Sequence, residues 1–158
     1  MVDSTKADDA LLLLLGRIFI AWIFIPSGLR KLMNIEGFAA SLTERGVPMA
    51  ELMAWVGGGV ELIGGLAVLL GVHVRFAAVL MILFTLAAAL IAHRFWEFEM
   101  PARQTQQSQF FKNLAIIGGY VFLIVSGGGR YCLDRLWRTG SMRRAQPGRR
   151  ARDRAVPA

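Results

Sequence analysis

Four long apolar runs, each interrupted by one charge or none, organise this chain. Residues 10–29 carry only Arg17, residues 52–72 only Glu61, residues 76–92 no charge, and residues 110–129 only Lys112. Crossing hydrocarbon about 30 Å thick takes about 20 apolar residues in a helix. The runs are continuous rather than alternating, which predicts helices and not strands. The pattern predicts an all-α integral membrane protein, a bundle of four transmembrane helices over residues 10–31, 50–72, 74–96 and 110–129.

The polar stretches between the runs differ in kind. Ile35, Phe38 and Leu42 fall at helical spacing before a Gly46 and Pro48 stop signal, which predicts a short interfacial helix between helices 1 and 2. Residues 71–75 form a tight hairpin. Residues 94–109 contain Gln104, Gln106, Gln107 and Gln109 and read as a mobile connection. Gly127, Gly128 and Gly129 end the last helix. The membrane domain is thus set at residues 10–138. An N-terminal segment, 1–9, precedes it, and a disordered tail rich in Arg, Ala, Gly and Pro, 139–158, follows.

Composition narrows the class. Of 158 residues, 55% are hydrophobic and 18% charged, against about 25% charge in a soluble domain. An ordinary soluble enzyme is excluded. The single cysteine, Cys132, excludes an internal disulfide, a CxxC redox pair and a cysteine zinc site. The net charge of +7 is not spread evenly, since nine of the 18 Lys and Arg lie in residues 130–158. Beside four membrane spans such a tail meets anionic headgroups, so no nucleic-acid partner is predicted. The first run is no signal peptide, because Asp3, Asp8 and Asp9 make its start acidic and no small-residue cleavage site follows. Twelve Lys and Arg fall on the side of the termini and six on the other. The positive-inside rule therefore predicts a multi-pass protein of a plasma membrane with both termini cytoplasmic.

Charges inside a span are costly and face a bundle interior or a cavity. Glu61 shares a stripe with Gly57, Gly64 and Gly71, at seven-residue spacing, and so faces another helix. Counting rises from the helix ends makes Arg17 its expected partner. That intramembrane pair reads either as a structural lock or as a proton- or anion-responsive site; alternatively Arg17 snorkels to the interface. Lys31, His93, Lys112 and Asn113 fall at one membrane surface. They form an expected outer-face cluster able to hold an anion, or else simple interfacial anchors. No haem is predicted, because His73 and His93 lie 20 residues apart on one helix, about 30 Å. No metal site, phosphate loop or dinucleotide motif is seen, so no intrinsic cofactor is expected.

An ordered set of segments carries a resemblance. GRIFIAWIFIPSGLRKL is followed by F-x3-L-x3-GVP, then VELIGGLAVLLGVHVRFAA, HRFWEF and FFKNLAIIGGYVFLIVSGGGRYCLDRL. Over about residues 11–137 the chain resembles the DoxX family of small bacterial inner-membrane proteins, especially its YqjF-like branch. The resemblance implies four helices and marks Arg17, Gly28, Lys31, Glu61, Gly65, His93, Lys112, Asn113 and Asp134. It gives none of them a catalytic role. It implies an accessory membrane subunit of an oxidoreductase or redox-defence system, with a redox-enzyme partner and a quinone as the cofactor in view. Two other readings stand beside it: a structural or assembly protein, and a small-molecule transporter acting as a homo-oligomer.

Overall fold

In a computed structural model, residues 2–135 are described, with side chains from Asp8 onward. The expected disordered tail, 139–158, lies outside the described residues. The long elements among these residues are α1 (Val2–Met33), α2 (Ile35–Glu44), α3 (Ala50–Leu70), α4 (Val74–Ala92) and α5 (Ala102–Ser126). A 3-10 turn, Phe95–Glu97, joins α4 to α5. Four of the helices are long and apolar enough to cross a membrane, and α2 is the short helix expected between the first two. The outer surfaces are apolar, with Phe19, Trp22, Phe76 and Phe122 all more than two-thirds exposed. Lipid covers such surfaces in a spanning bundle.

Several boundaries differ from the hydropathy reading: α4 stops at Ala92 rather than 96 and α5 at Ser126 rather than 129, and two starts move further. Helix α1 takes in residues 2–9, and α5 begins at Ala102 rather than near Phe110. The Gln-rich stretch is therefore the first two turns of α5. Ala, Arg and Gln are good helix formers in any solvent, whereas hydropathy marks where apolar sequence begins.

Helix α1 packs most extensively on α3, and α4 on α5. Small residues make the first contact close. A Cβ on Gly28 would lie 2.6 Å from the Leu62 nitrogen and 2.9 Å from the Gly58 oxygen. One on Gly65 would meet Ile25 at 3.0 Å. The stripe expected at Gly57, Gly64 and Gly71 is in fact divided. Gly58, Glu61 and Gly65 turn to α1, while Gly57 faces Phe38 and Phe84 and Gly64 faces Met81 of α4. Gly71 has φ +75° and caps α3. The seven-residue spacing is real, but α3 packs on two sides, and a single-stripe reading cannot separate them.

The core gathers Phe24, Val68, Ala78, Met81, Tyr120 and Leu123. In the first half of α5 and the turn before it, Phe95, Trp96, Phe110 and Phe111 cluster with ring centroids 5.2 to 6.3 Å apart, edge to face except for the tilted Phe95–Phe111 pair.

Candidate functional site

Lys31 ends α1, and its ammonium lies 2.8 Å from Glu61 Oε1. The Phe38 ring of α2 sits under the same ammonium, 4.8 Å from ring centre to nitrogen. The pair is asymmetric: the Lys31 side chain is 28% exposed and that of Glu61 7%. The charge therefore enters from the boundary of α1, α2 and α3 and ends in the bundle interior.

The expected Arg17–Glu61 pair does not form. The glycine contacts set Gly28 level with Glu61, so that Lys31, about one turn further along α1, reaches it and Arg17 does not. Arg17 lies 14 residues back along α1, about 21 Å away along the axis. It meets the other end of α3 instead. Its Nε donates to the Val68 carbonyl at 2.9 Å and its Nη2 to the Leu69 carbonyl at 2.5 Å. Nη1 donates to the carbonyls of Gly128 and Tyr131, at 2.6 and 2.8 Å, and to Cys132 Sγ at 3.2 Å. Arg17 is 1% exposed. The last carbonyls of a helix lack intrahelical partners and carry the negative end of its dipole. A buried guanidinium satisfies both conditions here and ties the segment after α5 to the end of α3. Burial pushes the Cys132 thiol above its ordinary range, with the Arg17 charge pulling the other way.

Asp134 adds a second tie at this end. It accepts from the His73 backbone N–H at 2.7 Å, and its own N–H donates to the Gly71 carbonyl at 3.4 Å. His73 holds φ +42° at the start of α4.

The interior beyond Glu61 holds polar atoms with nothing to bond. Among the described residues Glu61 Oε2, Thr85 Oγ1 and Tyr120 Oη are buried and have no hydrogen-bond partner. They come from α3, α4 and α5. Thr85 lies one turn beyond Met81, which packs on Gly64, itself one turn from Glu61. Tyr120 packs on Phe24, with ring centroids 5.9 Å apart. An unpartnered buried polar atom costs about 1–3 kcal/mol. Each of the three is a buried polar atom that a water or a polar ligand group would satisfy.

The outer-face cluster is not brought together as one site. Lys31 is taken by Glu61. His93 Nδ1 pairs with the Gln106 side-chain amide at 2.9 Å. Lys112 donates to Gln109 on its own helix. Asn113 is half-buried on α5, two turns before Tyr120. The sequence reading missed Thr85, Tyr120 and Phe38. The first two are polar residues inside apolar runs, the same signal that singled out Glu61, but weaker because neither bears a charge. No group of His, Cys, Asp and Glu able to hold a metal occurs among the described residues.

A bundle of four spanning helices with a short helix after the first and a polar interior defines a small multi-pass membrane protein. The DoxX family model matches residues 12–94. The chain belongs to the DoxX family. It is 34% identical to the inner membrane protein YphA of Escherichia coli K12 over 129 residues, 82% of this chain and 92% of that one. Identity to the inner membrane protein YqjF of the same organism is also 34%, over 78% of this chain and 89% of that one. An uncharacterized membrane protein of Mycobacterium tuberculosis, Rv3486, is 29% identical, over 75% of this chain and 77% of that one. No solved structure matches the chain.

Proposed function

We propose that this protein is an accessory subunit of an inner-membrane redox system, with both termini cytoplasmic, and that its interior polar site receives the head of a quinone. The observation that carries this reading is the set of unpartnered atoms, Glu61 Oε2, Thr85 Oγ1 and Tyr120 Oη, behind the half-open Lys31–Glu61 pair. The donor set suits the ligand. A quinone carbonyl needs a hydrogen-bond donor, which Lys31, Thr85 and Tyr120 supply. A hydroquinone hydroxyl needs an acceptor, which Glu61 supplies. Quinone brings two-electron, two-proton chemistry to any site that binds it. The chain's own groups would hold and orient the head and keep a proton acceptor beside it. The names of the Escherichia coli relatives support the inner membrane, and the Lys and Arg bias supports the orientation.

The test is purification from native membranes in mild detergent, with extraction of bound quinone, an absorption spectrum and identification of co-purifying proteins. Quinone together with a stoichiometric oxidoreductase is expected. Both should fall in Glu61→Gln and Tyr120→Phe at unchanged abundance. A colourless protein that comes down alone, without quinone, overturns the proposal.

One observation favours a second reading, a purely structural membrane protein. The most buried cation, Arg17, spends its donors on backbone carbonyls and a thiol. Wild-type redox behaviour in Glu61→Gln would move the weight to that reading.

A further inference from the structure

The end of the bundle that holds Arg17 carries a second charged feature, which the proposed function does not use. A cleft of about 790 Å³ opens where α3 turns into α4 and α5 ends, lined among others by His73, Arg75, Phe76, Gly127, Gly129 and Arg135. Arg75 is exposed. A Cβ on Gly127 would lie 3.8 Å from Arg75 Nε, so the guanidinium stands directly beside that glycine. Behind it, the carbonyl of Gly128 points inward to Arg17. In a trans peptide the N–H points opposite to the C=O. The amide of Gly129 is therefore turned away from Arg17.

The acid of the cleft, Asp134, is already engaged by the His73 backbone N–H at 2.7 Å and lies 3.9 Å from the His73 ring. A smaller adjoining cleft shares Gly129 and Arg135 and adds Arg130 and Asp9. The two clefts together are therefore lined by more arginines than carboxylates.

Depth and neighbours decide what fits. Val74 opens α4 and Ser126 closes α5, so the cleft lies where two spans end, at headgroup level. Beside Arg75, about 100° round α4, the outer face carries an apolar stripe of Phe76, Leu80 and Leu83, exposed by 73%, 39% and 61%. A cationic cleft above an apolar stripe matches an anionic head attached to an acyl chain.

We infer that this cleft binds the phosphate group of an anionic phospholipid, held by Arg75 with Arg135 flanking, its chain lying on Phe76, Leu80 and Leu83. Native mass spectrometry of the full chain in detergent, titrated with phosphatidylglycerol or phosphatidylcholine, tests this. Phosphatidylglycerol should be retained about tenfold more tightly, because the choline cation of phosphatidylcholine offsets the phosphate charge and is repelled by the arginines. Arg75→Gln should erase the difference. Arg103→Gln, which removes an exposed arginine at the start of α5, should leave it intact. Equal retention of phosphatidylglycerol by Arg75→Gln and wild type overturns the inference, as does an equal loss in Arg103→Gln. Displacement of the lipid by millimolar inorganic phosphate would uphold the phosphate site but overturn the lipid as its source. Arg135→Gln, read the same way, decides the matter if Arg75→Gln fails to assemble.

Discussion

Gly28 approaches Gly58 so closely that a Cβ on Gly28 would lie 2.9 Å from the Gly58 carbonyl oxygen. This contact sets the register of α1 on α3, and the register decides which charges meet. With Gly28 between Gly58 and Leu62, Lys31 reaches Glu61 from about one turn away and Arg17 reaches the end of α3. Two charged residues that look like partners by depth are thereby assigned to different tasks.

The first prediction follows from that contact. Gly28→Ala puts a methyl group against backbone atoms, the Leu62 nitrogen at 2.6 Å among them, and backbone cannot turn aside as a flexible side chain can. The helices must separate, at a cost of about 1–3 kcal/mol. Gly16→Ala, which meets nothing within 4 Å, should leave stability unchanged or slightly raised. Thermal unfolding of both variants in detergent separates the outcomes; equal melting would show that the close approach is not required.

The second concerns the ion pair. Lys31→Met leaves the Glu61 carboxylate buried without a countercharge, and Glu61→Leu leaves an ammonium beside apolar groups. Each single change should destabilise, the first by about 2–4 kcal/mol. The double variant should be more stable than the sum of the singles predicts. Arg17→Leu and Glu61→Leu should instead add, since Arg17 and Glu61 share no partner. Coupling between Arg17 and Glu61 in a double-mutant cycle would contradict the register described above.

How much of this was legible in the sequence depends on the physics involved. The four spans and the short helix at Ile35–Glu44 were readable because apolar length and helical spacing are local properties. The intramembrane positions of Arg17 and Glu61 were readable for the same reason. Their partners were not. Partnering depends on the axial offset of two helices, which here is set by the backbone contact at Gly28 and Gly58. Counting from helix ends cannot supply that offset when α1 begins eight residues earlier than its apolar run. Thr85 and Tyr120 stayed hidden because an uncharged hydroxyl in an apolar run is common, and only packing shows whether its oxygen finds a partner.

The third prediction tests the fork of Arg17. Arg17→Lys keeps the charge but cannot reach the carbonyls of Val68, Leu69, Gly128 and Tyr131 at once, because an ammonium on a flexible stem lacks the planar fork. A loss of about 2–4 kcal/mol is expected. The segment after α5 should loosen with it, so Cys132, 6% exposed in the wild type, should react faster with a maleimide. Unchanged alkylation in Arg17→Lys would show that the segment is held by other contacts.

The fourth concerns pH. Burial raises the Cys132 thiol above its ordinary range, more than Arg17 lowers it. The folded chain thus holds this proton more tightly than the unfolded chain. The resulting stabilisation is complete below the unfolded thiol value, about 8.5. It is lost as pH rises through the higher folded value. Stability should therefore decline above about pH 8.5 in the wild type and decline less steeply in Cys132→Ala. Parallel pH profiles for the two proteins would remove Cys132 as the cause.

The last prediction separates a ligand site from a packing defect. In Tyr120→Phe and Thr85→Val a buried oxygen without a partner is replaced by nothing or by a methyl group of similar shape. If those oxygens only desolvate, each substitution should raise stability by about 1 kcal/mol. If they bind a quinone head, the ligand-free protein should still gain that stability, but the stabilisation added by quinone should fall. Melting measured with and without added ubiquinone-1 in detergent therefore reads both effects on one sample. A ligand that stabilises the wild type and not the variants assigns the oxygens to binding. Equal stabilisation of all three proteins by the quinone would place its contacts elsewhere. Loss of stability in both variants without ligand would mean that the oxygens already hold ordered water, and that their hydrogen bonds belong to the fold.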